Sequence, residues 1–314
     1  MKLRRLAGGI LSCIPGIYRL FGGRSTGGTR SAAYCYEVWM KHLVLLRSNG
    51  MRGIPGRVAE LGPADSLGVG LAALLSGSSE YSALDVVRYS GVERNLALLE
   101  ELVELFSRRA PKPSGGWPPY DDLLDERGFP SGILTDEILE RTLDSGRLRD
   151  IRRSIESMGS ADAGGMISYH APWTDPAVID DGSVDLILSH SVLEHVDDLD
   201  GTFAAMRRWL RCGGWISHQV DLTSHGIDGR WDGHRAISPR MWSLIRGRKP
   251  YLINRLPASE YEGLLRRHGF ETVRFLRNER EPEVDRASLA DLWRGLCEAD
   301  RSCAGIFFQA VRRC

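Results

Sequence analysis

The chain has 314 residues, of which 42% are hydrophobic and 26% are charged, and its formal net charge at pH 7 is +0. This composition is typical of a globular protein with one large core, or a core plus an inserted subdomain. The lack of net positive charge disfavours a nucleic acid partner. The six cysteines include no C-x-x-C pair, which disfavours a zinc site and a disulfide-stapled secreted domain and favours a reducing cytoplasm.

Residues 1–54 are predicted to form an N-terminal helical extension. Basic residues precede the first acid, Glu37, and apolar residues from Leu3 to Phe21 recur at helical spacing, although two glycines and Pro15 interrupt them. Two interpretations stay open: a helix that packs or frays, and a basic helix that makes weak contact with an anionic membrane surface. The apolar stretch is too short to span a bilayer, so we expect a cytoplasmic protein, peripheral to a membrane under the second interpretation.

Residues 58–70 read as a buried strand that turns through a glycine-containing loop directly into a helix. The strand carries Glu60, the turn carries Gly62, and Asp65 or Ser66 is the candidate N-cap. This order puts backbone N–H groups at the carboxyl end of a strand, which is where Rossmann-like sheets bind nucleotides.

A second strand is predicted over residues 81–87, and Asp85 lies at its end, about 25 residues beyond Glu60. A carboxylate in that position can accept hydrogen bonds from both hydroxyls of a ribose. The two strands together therefore favour a nucleotide site over an ordinary strand-to-helix turn.

The segment 107–163 interrupts the alternation of strands and helices. A loop rich in proline and glycine passes through Trp117 and Tyr120, and one helix is predicted over 136–157. A helical segment near the carboxyl edge of a sheet is a candidate lid or substrate wall, with a structural hairpin as the alternative.

The later strands follow the third, which is predicted over 166–169. Residues 183–196, SVDLILSHSVLEHV, read as a strand that leaves into a helix near Leu193, and 206–220 read as a helix closed by a Gly-Gly turn and followed by a strand. The C-terminal part predicts a helix over 259–269, a strand over 271–276, a helix over 286–298 and a strand over 305–311.

In this order, the blocks resemble the class I S-adenosylmethionine-dependent methyltransferases over roughly residues 55–225, with a plausible C-terminal continuation. The resemblance implies an α/β fold with a doubly wound Rossmann-like sheet, mostly parallel with an antiparallel last strand. It implies S-adenosyl-L-methionine as the cofactor. The methyltransferase domain is then expected at 55–314, with the helical insertion at about 107–163.

The resemblance also implies a set of cofactor-binding residues. The loop ELGPADS would cradle the methionine end, the acid after the second strand would hold the ribose, and the loop after the third strand would pass the adenine. Histidine at the end of the fourth strand would lie near the methyl group, and an aromatic residue of the helix before the first strand could close over the ligand. These residues are Glu60, Gly62, Ala64, Asp65, Ser66, Asp85, Val86, Ala171, Trp173, His190 and Tyr36.

One position departs from the family pattern, because Ala64 stands where a glycine is common. Its methyl group narrows the backbone's approach to a ligand. A nicotinamide-dependent oxidoreductase is a weaker alternative, since Gly62, Gly68 and Gly70 lack the G-x-G-x-x-G spacing that a dinucleotide pyrophosphate requires.

The catalytic residues are sought in the polar loop after the fifth strand. Methyl transfer is an in-line displacement, and a hydroxyl acceptor also needs a base. We expect His225 to accept the acceptor's proton, Asp221 to orient it or bind substrate, and His195 to line the floor near the methyl group. For each histidine, the alternative is a capping or packing role.

The pair Glu194 and His195 resembles the metal-binding helix of a small subset of these enzymes. Adjacent helical residues do not share a face, and Ser191 occupies the place where a further carboxylate would be needed. The sequence therefore predicts no metal.

The predicted function is methyl transfer to a small-molecule or saccharide-like hydroxyl acceptor. The saccharide assignment comes from similarity to methyltransferases of bacterial glycan and secondary metabolite pathways, which is an association. A catalytically inactive, cofactor-binding scaffold or regulatory module of the same fold is the alternative from another class.

Overall fold

The computed structural model describes residues 28–113, 115–158, 165–173, 175–247 and 252–314. The predicted basic helix within residues 1–27 lies outside these ranges. None of the helices in the described ranges combines the length and the apolar character needed to cross a membrane.

The described residues form a single seven-stranded sheet in the order β3-β2-β1-β4-β5-β7-β6. Strands β1 to β5 are parallel to one another, while β7 runs antiparallel to both β5 and β6. The strands are β1 Arg57–Leu61, β2 Glu80–Leu84, β3 Ile167–His170, β4 Val184–His190, β5 Leu210–Asp221, β6 Phe270–Glu279 and β7 Cys303–Arg312. The predicted sheet, mostly parallel with an antiparallel last strand, is confirmed.

Helices cover both faces of the sheet, and each face has its own apolar core. The helices are α1 Ala32–Ser48, α2 Gly68–Ser76, α3 Val92–Ser107, α4 Asp136–Thr142, α5 Ser145–Glu156, α6 Leu199–Trp209, α7 Pro239–Arg246, α8 Ala258–Arg267 and α9 Glu298–Arg301. Buried side chains of α1, α2 and α3 pack on one face of the sheet, and those of α6 and α8 pack on the other. Because both faces are covered, most consecutive residues of β1 and β4 are buried, rather than every second one.

Two predicted helix starts are wrong, and the hydrogen bonds of the chain explain why. Helix α2 has Leu67 as its cap residue, and the Leu67 N–H is taken by the side chain of Asn95; neither Asp65 nor Ser66 is the N-cap. The helix predicted near Leu193 is only a single 3-10 turn, Leu193–His195. Helix α6 starts later because the Asp198 carboxylate caps it through the N–H of Gly201.

Two other predicted helices are also divided differently. The helix predicted over 136–157 is two helices, because Asp144 accepts a hydrogen bond from the N–H of Gly146 and begins α5 as a new helix. The helix predicted over 286–298 is replaced by short turns, in which the Arg286 guanidinium donates to the carbonyls of Arg294 and Leu296 and folds the segment back on itself.

The cysteines also differ from expectation. Cys212, near the start of β5, forms a disulfide with Cys314 at the C-terminus, and their Cα atoms are 5.2 Å apart. Cys35 and Cys303 are buried free thiols. The scattered spacing in the sequence hid this pair, because the antiparallel return of β7 beside β5 brings the chain end back to residue 212.

Candidate functional site

A cavity of about 490 Å³ opens at the carboxyl ends of the central strands. It lies at the ends of β1, β2 and β4, and the strand order reverses between β1 and β4, where doubly wound sheets bind their ligands. Its volume is that of an ordinary small-molecule site. The lining includes Gly62, Asp85, Val86, Trp173, Val192 and His195.

In the loop after β1, the structure leaves no room for a side chain at Gly62. Its φ is +68°, and a Cβ placed there would lie 2.6 Å from Cγ2 of Val192. The bare backbone lets Val192 close over the end of β1 while the cavity stays open beside it. This is the close approach for which the loop needs glycine.

Asp85 ties the two loops together. Its Oδ2 accepts a hydrogen bond from the Ala64 N–H at 3.1 Å, and its Oδ1 accepts one from the Val86 N–H at 2.7 Å. Burial raises the pKa of this carboxyl, although the backbone N–H groups oppose that shift. A carboxylate oxygen can accept more than one hydrogen bond, so Asp85 can still receive two ribose hydroxyls and fits a nucleoside.

Apolar walls flank this carboxylate. Val86 is 45% exposed at the rim of the cavity. Trp173 lines the cavity, donates its backbone N–H to the Asp85 carbonyl at 3.0 Å and packs edge-on against Trp209. A side chain fixed in this way offers a flat surface to an aromatic base. Ala171, which precedes it, is half-buried and does not line the cavity.

Glu60 faces the core beneath α2 and not the cavity. Its side chain is 4% exposed and accepts a hydrogen bond from the Tyr81 hydroxyl at 2.5 Å. Burial raises the pKa of Glu60 to about 8. The residue therefore supports the loop from below and does not line the cavity.

Asp65 and Ser66 fasten the loop to the segment before α1. Asp65 pairs with Arg30 at 2.9 Å, and the Ser66 hydroxyl donates to the Thr29 carbonyl. Both side chains are buried in these contacts. Their role in the structure is to hold the outer side of the loop.

Tyr36 and His190 are also placed away from the cavity lining. The Tyr36 hydroxyl donates to the Ala110 carbonyl at 2.7 Å and its ring packs on Phe106, so it lies between α1 and α3. The His190 ring lies edge-on to Tyr34, and burial lowers its pKa to about 3. His190 is thus a neutral, half-buried ring at the end of β4.

The predicted catalytic residues do come together. Nε2 of His225 lies 3.4 Å from Oδ2 of Asp221 and 3.9 Å from Oε1 of Glu194. The rings of His195 and His225 meet edge-on with centroids 5.0 Å apart. We call Asp221, Glu194, His195 and His225 the His225 cluster. Because His195 also lines the cavity, the cluster adjoins it.

Glu194 is the member of the His225 cluster that sequence reasoning did not assign to a function. Its side chain is 2% exposed, and neither carboxylate oxygen has a hydrogen-bond partner among the described residues. Burial holds its pKa well above the usual range, and the negative charge of Asp221 adds to that shift. Val192 was missed too, since only the turn geometry of Gly62 brings it over the cavity.

The comparisons with known proteins identify a family. A family model described as "Methyltransferase domain" matches residues 100–274, starting in α3 and so beyond the first loop and Asp85. The search of curated proteins found no match.

Several solved structures are similar in fold at low identity. They include phosphoethanolamine N-methyltransferase 2 of Haemonchus contortus in complex with S-adenosyl-L-methionine (15% identity, TM-score 0.42, 90% of this chain and 57% of that chain). A SAM-dependent methyltransferase of Methanosarcina mazei has 11% identity and a TM-score of 0.44 over 85% of this chain and 97% of that one. A putative sarcosine dimethylglycine methyltransferase of Galdieria sulphuraria has 12% identity and a TM-score of 0.44 over 88% and 85%. The chain thus spans little more than half the length of the Haemonchus protein.

The family match, the strand order and the cavity at the strand ends agree with one another. The cofactor of this class is S-adenosylmethionine, and the Gly62 turn with the Asp85 carboxylate fits its nucleoside. Since the family model covers more than half of the chain, the chain belongs to the methyltransferase-domain family, with the Rossmann-like fold of the class I S-adenosylmethionine-dependent enzymes.

Proposed function

We propose that the chain transfers the methyl group of S-adenosylmethionine to a hydroxyl of a small-molecule, saccharide-like acceptor. The observation that carries the proposal is that His195 belongs both to the cavity lining and to the His225 cluster. A histidine beside a carboxylate can take a proton from a hydroxyl. Asp221 is 39% exposed in its side chain, so it can also accept a hydrogen bond from a second hydroxyl of a polyhydroxylated acceptor.

In this proposal the chain's own residues divide the work between cofactor and acceptor. Asp85 accepts the ribose hydroxyls, and Val86 and Trp173 flank the base. When bound, S-adenosylmethionine supplies a sulfonium methyl group open to in-line displacement. The proton of the acceptor hydroxyl moves to Nε2 of His225, and Asp221, 3.4 Å away, stabilises the charged ring. Holding the reactants in contact supplies much of the acceleration.

The cofactor part is tested by calorimetric titration with S-adenosylhomocysteine. We expect micromolar binding that Asp85→Ala weakens at least tenfold. Glu80→Gln is the matched control, because Glu80 lies at the opposite, exposed end of the same strand, paired with Arg57, and should bind normally. Equal affinity of Asp85→Ala and the unmodified protein would contradict the assignment.

The acceptor part is tested by mass-spectrometric detection of methylated products from a panel of sugars and other hydroxylated compounds. His225→Gln should lower kcat at least 100-fold while S-adenosylhomocysteine still binds. Ala64, at φ +63° where the family pattern has glycine, favours one alternative, a cofactor-binding scaffold without turnover. Cofactor binding with no product from any acceptor class would support that alternative.

A further inference from the structure

Three side chains of the His225 cluster converge as metal ligands do. Glu194, His195 and His225 each offer one ligand atom, and these atoms all lie within 4.8 Å of one another. Ligand atoms around one zinc ion, each about 2.0–2.2 Å from it, are separated by roughly 3–4 Å. Small side-chain rotations would bring the three atoms to that spacing.

A second and independent observation is the state of Glu194. This carboxylate is almost wholly buried, and neither of its oxygens has a hydrogen-bond partner in the described chain. A buried polar group without a partner is strongly unfavourable unless a charge or hydrogen bond compensates it. A cation between Glu194 and the two histidines would provide that compensation.

The sequence predicts Glu194 and His195 as neighbours on a regular α-helix, which disfavours a metal site. They lie instead in the single 3-10 turn Leu193–His195, and the third group comes from the loop after β5. The requirement for a carboxylate at Ser191 therefore disappears, because His225 reaches the same point from the loop after β5.

We infer that Glu194, His195 and His225 form a binding site for one divalent transition-metal cation of the zinc type. Two imidazoles and one carboxylate are a ligand set for zinc and its neighbours in the first transition row, whereas magnesium and calcium prefer oxygen ligands alone. Asp221, 3.4 Å from Nε2 of His225, brings a second negative charge next to the site. With neutral imidazoles, the two carboxylates balance a dication.

The inference deepens the proposed function and rests on it only for one consequence. A cation beside the cavity would polarise the acceptor oxygen and make its proton more acidic. With the cation bound, His225 would be a ligand, and Asp221 would replace His225 as the group that accepts the proton. Cation binding itself requires neither cofactor nor acceptor.

The experiment uses the full chain freed of metal by chelation and then titrated with Co²⁺, followed by its visible d–d absorption, and with Zn²⁺ by calorimetry. We expect one ion per chain, no displacement by excess Mg²⁺, and at least tenfold weaker binding in Glu194→Gln and in His225→Gln. His268→Gln is the matched control, because His268 pairs with Asp200 elsewhere on the surface and should leave binding unchanged.

The urea unfolding transition of each variant shows whether it has folded, independently of S-adenosylhomocysteine binding. If Glu194→Gln fails to fold, His225→Gln decides the test, because the His225 side chain is 27% exposed and its replacement disturbs the core less. The inference is overturned if the unmodified protein binds no Co²⁺ or Zn²⁺, or if folded His225→Gln binds them as well as the control. Metal binding without S-adenosylhomocysteine binding would overturn the proposed function and leave the metal site standing.

Discussion

The backbone N–H of Ala64 donates to Oδ2 of Asp85, so the residue that replaces the expected glycine also positions the acid assigned to the ribose. Ala64 makes this contact at φ +63°, a left-handed conformation that is unfavourable for alanine. The loop thus keeps the glycine-like backbone and carries a methyl group on it. The strain of this residue therefore lies in the loop between β1 and α2.

We expect Ala64→Gly to raise the free energy of unfolding by about 0.5–1 kcal/mol, because glycine adopts this backbone conformation without strain. S-adenosylhomocysteine should bind at least as tightly as to the unmodified protein. Urea unfolding and calorimetry measure the two effects. Ala73→Gly, inside α2, is the control and should lose about 1 kcal/mol; a similar loss in Ala64→Gly would contradict the argument.

Gly62→Ala should destabilise the protein more than Gly53→Ala. The two glycines have nearly the same φ, +68° and +69°, but a Cβ at Gly53 meets nothing within 4 Å whereas one at Gly62 meets Val192. Both variants therefore carry conformational strain of about 1 kcal/mol, and only Gly62→Ala adds an overlap of about 1–3 kcal/mol. Urea unfolding measures the difference.

Val192→Ala tests the same contact from the other side, because it shortens the side chain that a Cβ at position 62 would overlap. Removing both Cγ atoms of Val192 should recover part of the loss in the double variant with Gly62→Ala, since the overlap is with those atoms. A double-mutant cycle isolates this coupling. Equal losses in Gly62→Ala and Gly53→Ala, or strict additivity with Val192→Ala, would show that the contact is unimportant.

Glu60 predicts a dependence of stability on pH. Its pKa is raised from 4.5 to about 8 by burial, so between these values the unfolded chain loses a proton that the folded chain keeps. The contribution of Glu60 to the free energy of unfolding is largest below pH 4.5, falls as the pH rises from 4.5 to about 8, and is constant above pH 8. Between these values its slope is at most about 1.4 kcal/mol per pH unit.

The measurement is urea unfolding of the unmodified protein and Glu60→Gln at pH 5.5, 7 and 8.5. The stability of the unmodified protein minus that of the variant should fall with pH, because glutamine keeps an acceptor for Tyr81 but does not ionise. Glu80→Gln, at the exposed start of β2, controls for removing a surface carboxylate. A difference that rises with pH would contradict the assignment.

The sequence was sufficient to predict the strands of the sheet and their order along the chain, but not all of their ends, since β2 ends at Leu84 and β5 already starts at Leu210. Gly62 and Asp85 could be found because a strand, a turn and a helix leave a periodic pattern, and because parallel strands meet at one edge. The Asp221 and His225 pairing was expected from the loop after the fifth strand, and the structure brings the two side chains together.

The remaining contacts depend on side-chain directions that no local pattern carries. Glu60, Asp65 and Tyr36 look alike in the sequence as polar groups near the cleft, yet each is directed to a separate partner in the core or in the segment before α1. The sequence pattern predicts a helix near Leu193, whereas the short turn Leu193–His195 is what directs Glu194 into the His225 cluster. The pairing of β4 with β5 is what places Glu194, after β4, next to the loop after β5.

Helix α1 lies in the predicted N-terminal extension, residues 1–54, but it packs on the sheet of the domain that follows. Trp39 donates its indole N–H to Ser76 of α2, and His42 is hydrogen-bonded to Ser217 of β5. Just ahead of the helix, Arg30 holds Asp65 in the cofactor loop. A fragment trimmed to begin at the first strand would leave a broad apolar face of the sheet open to water and loosen the ligand loop, so a shortened version made for crystallisation or assay should keep everything from Gly28 onward.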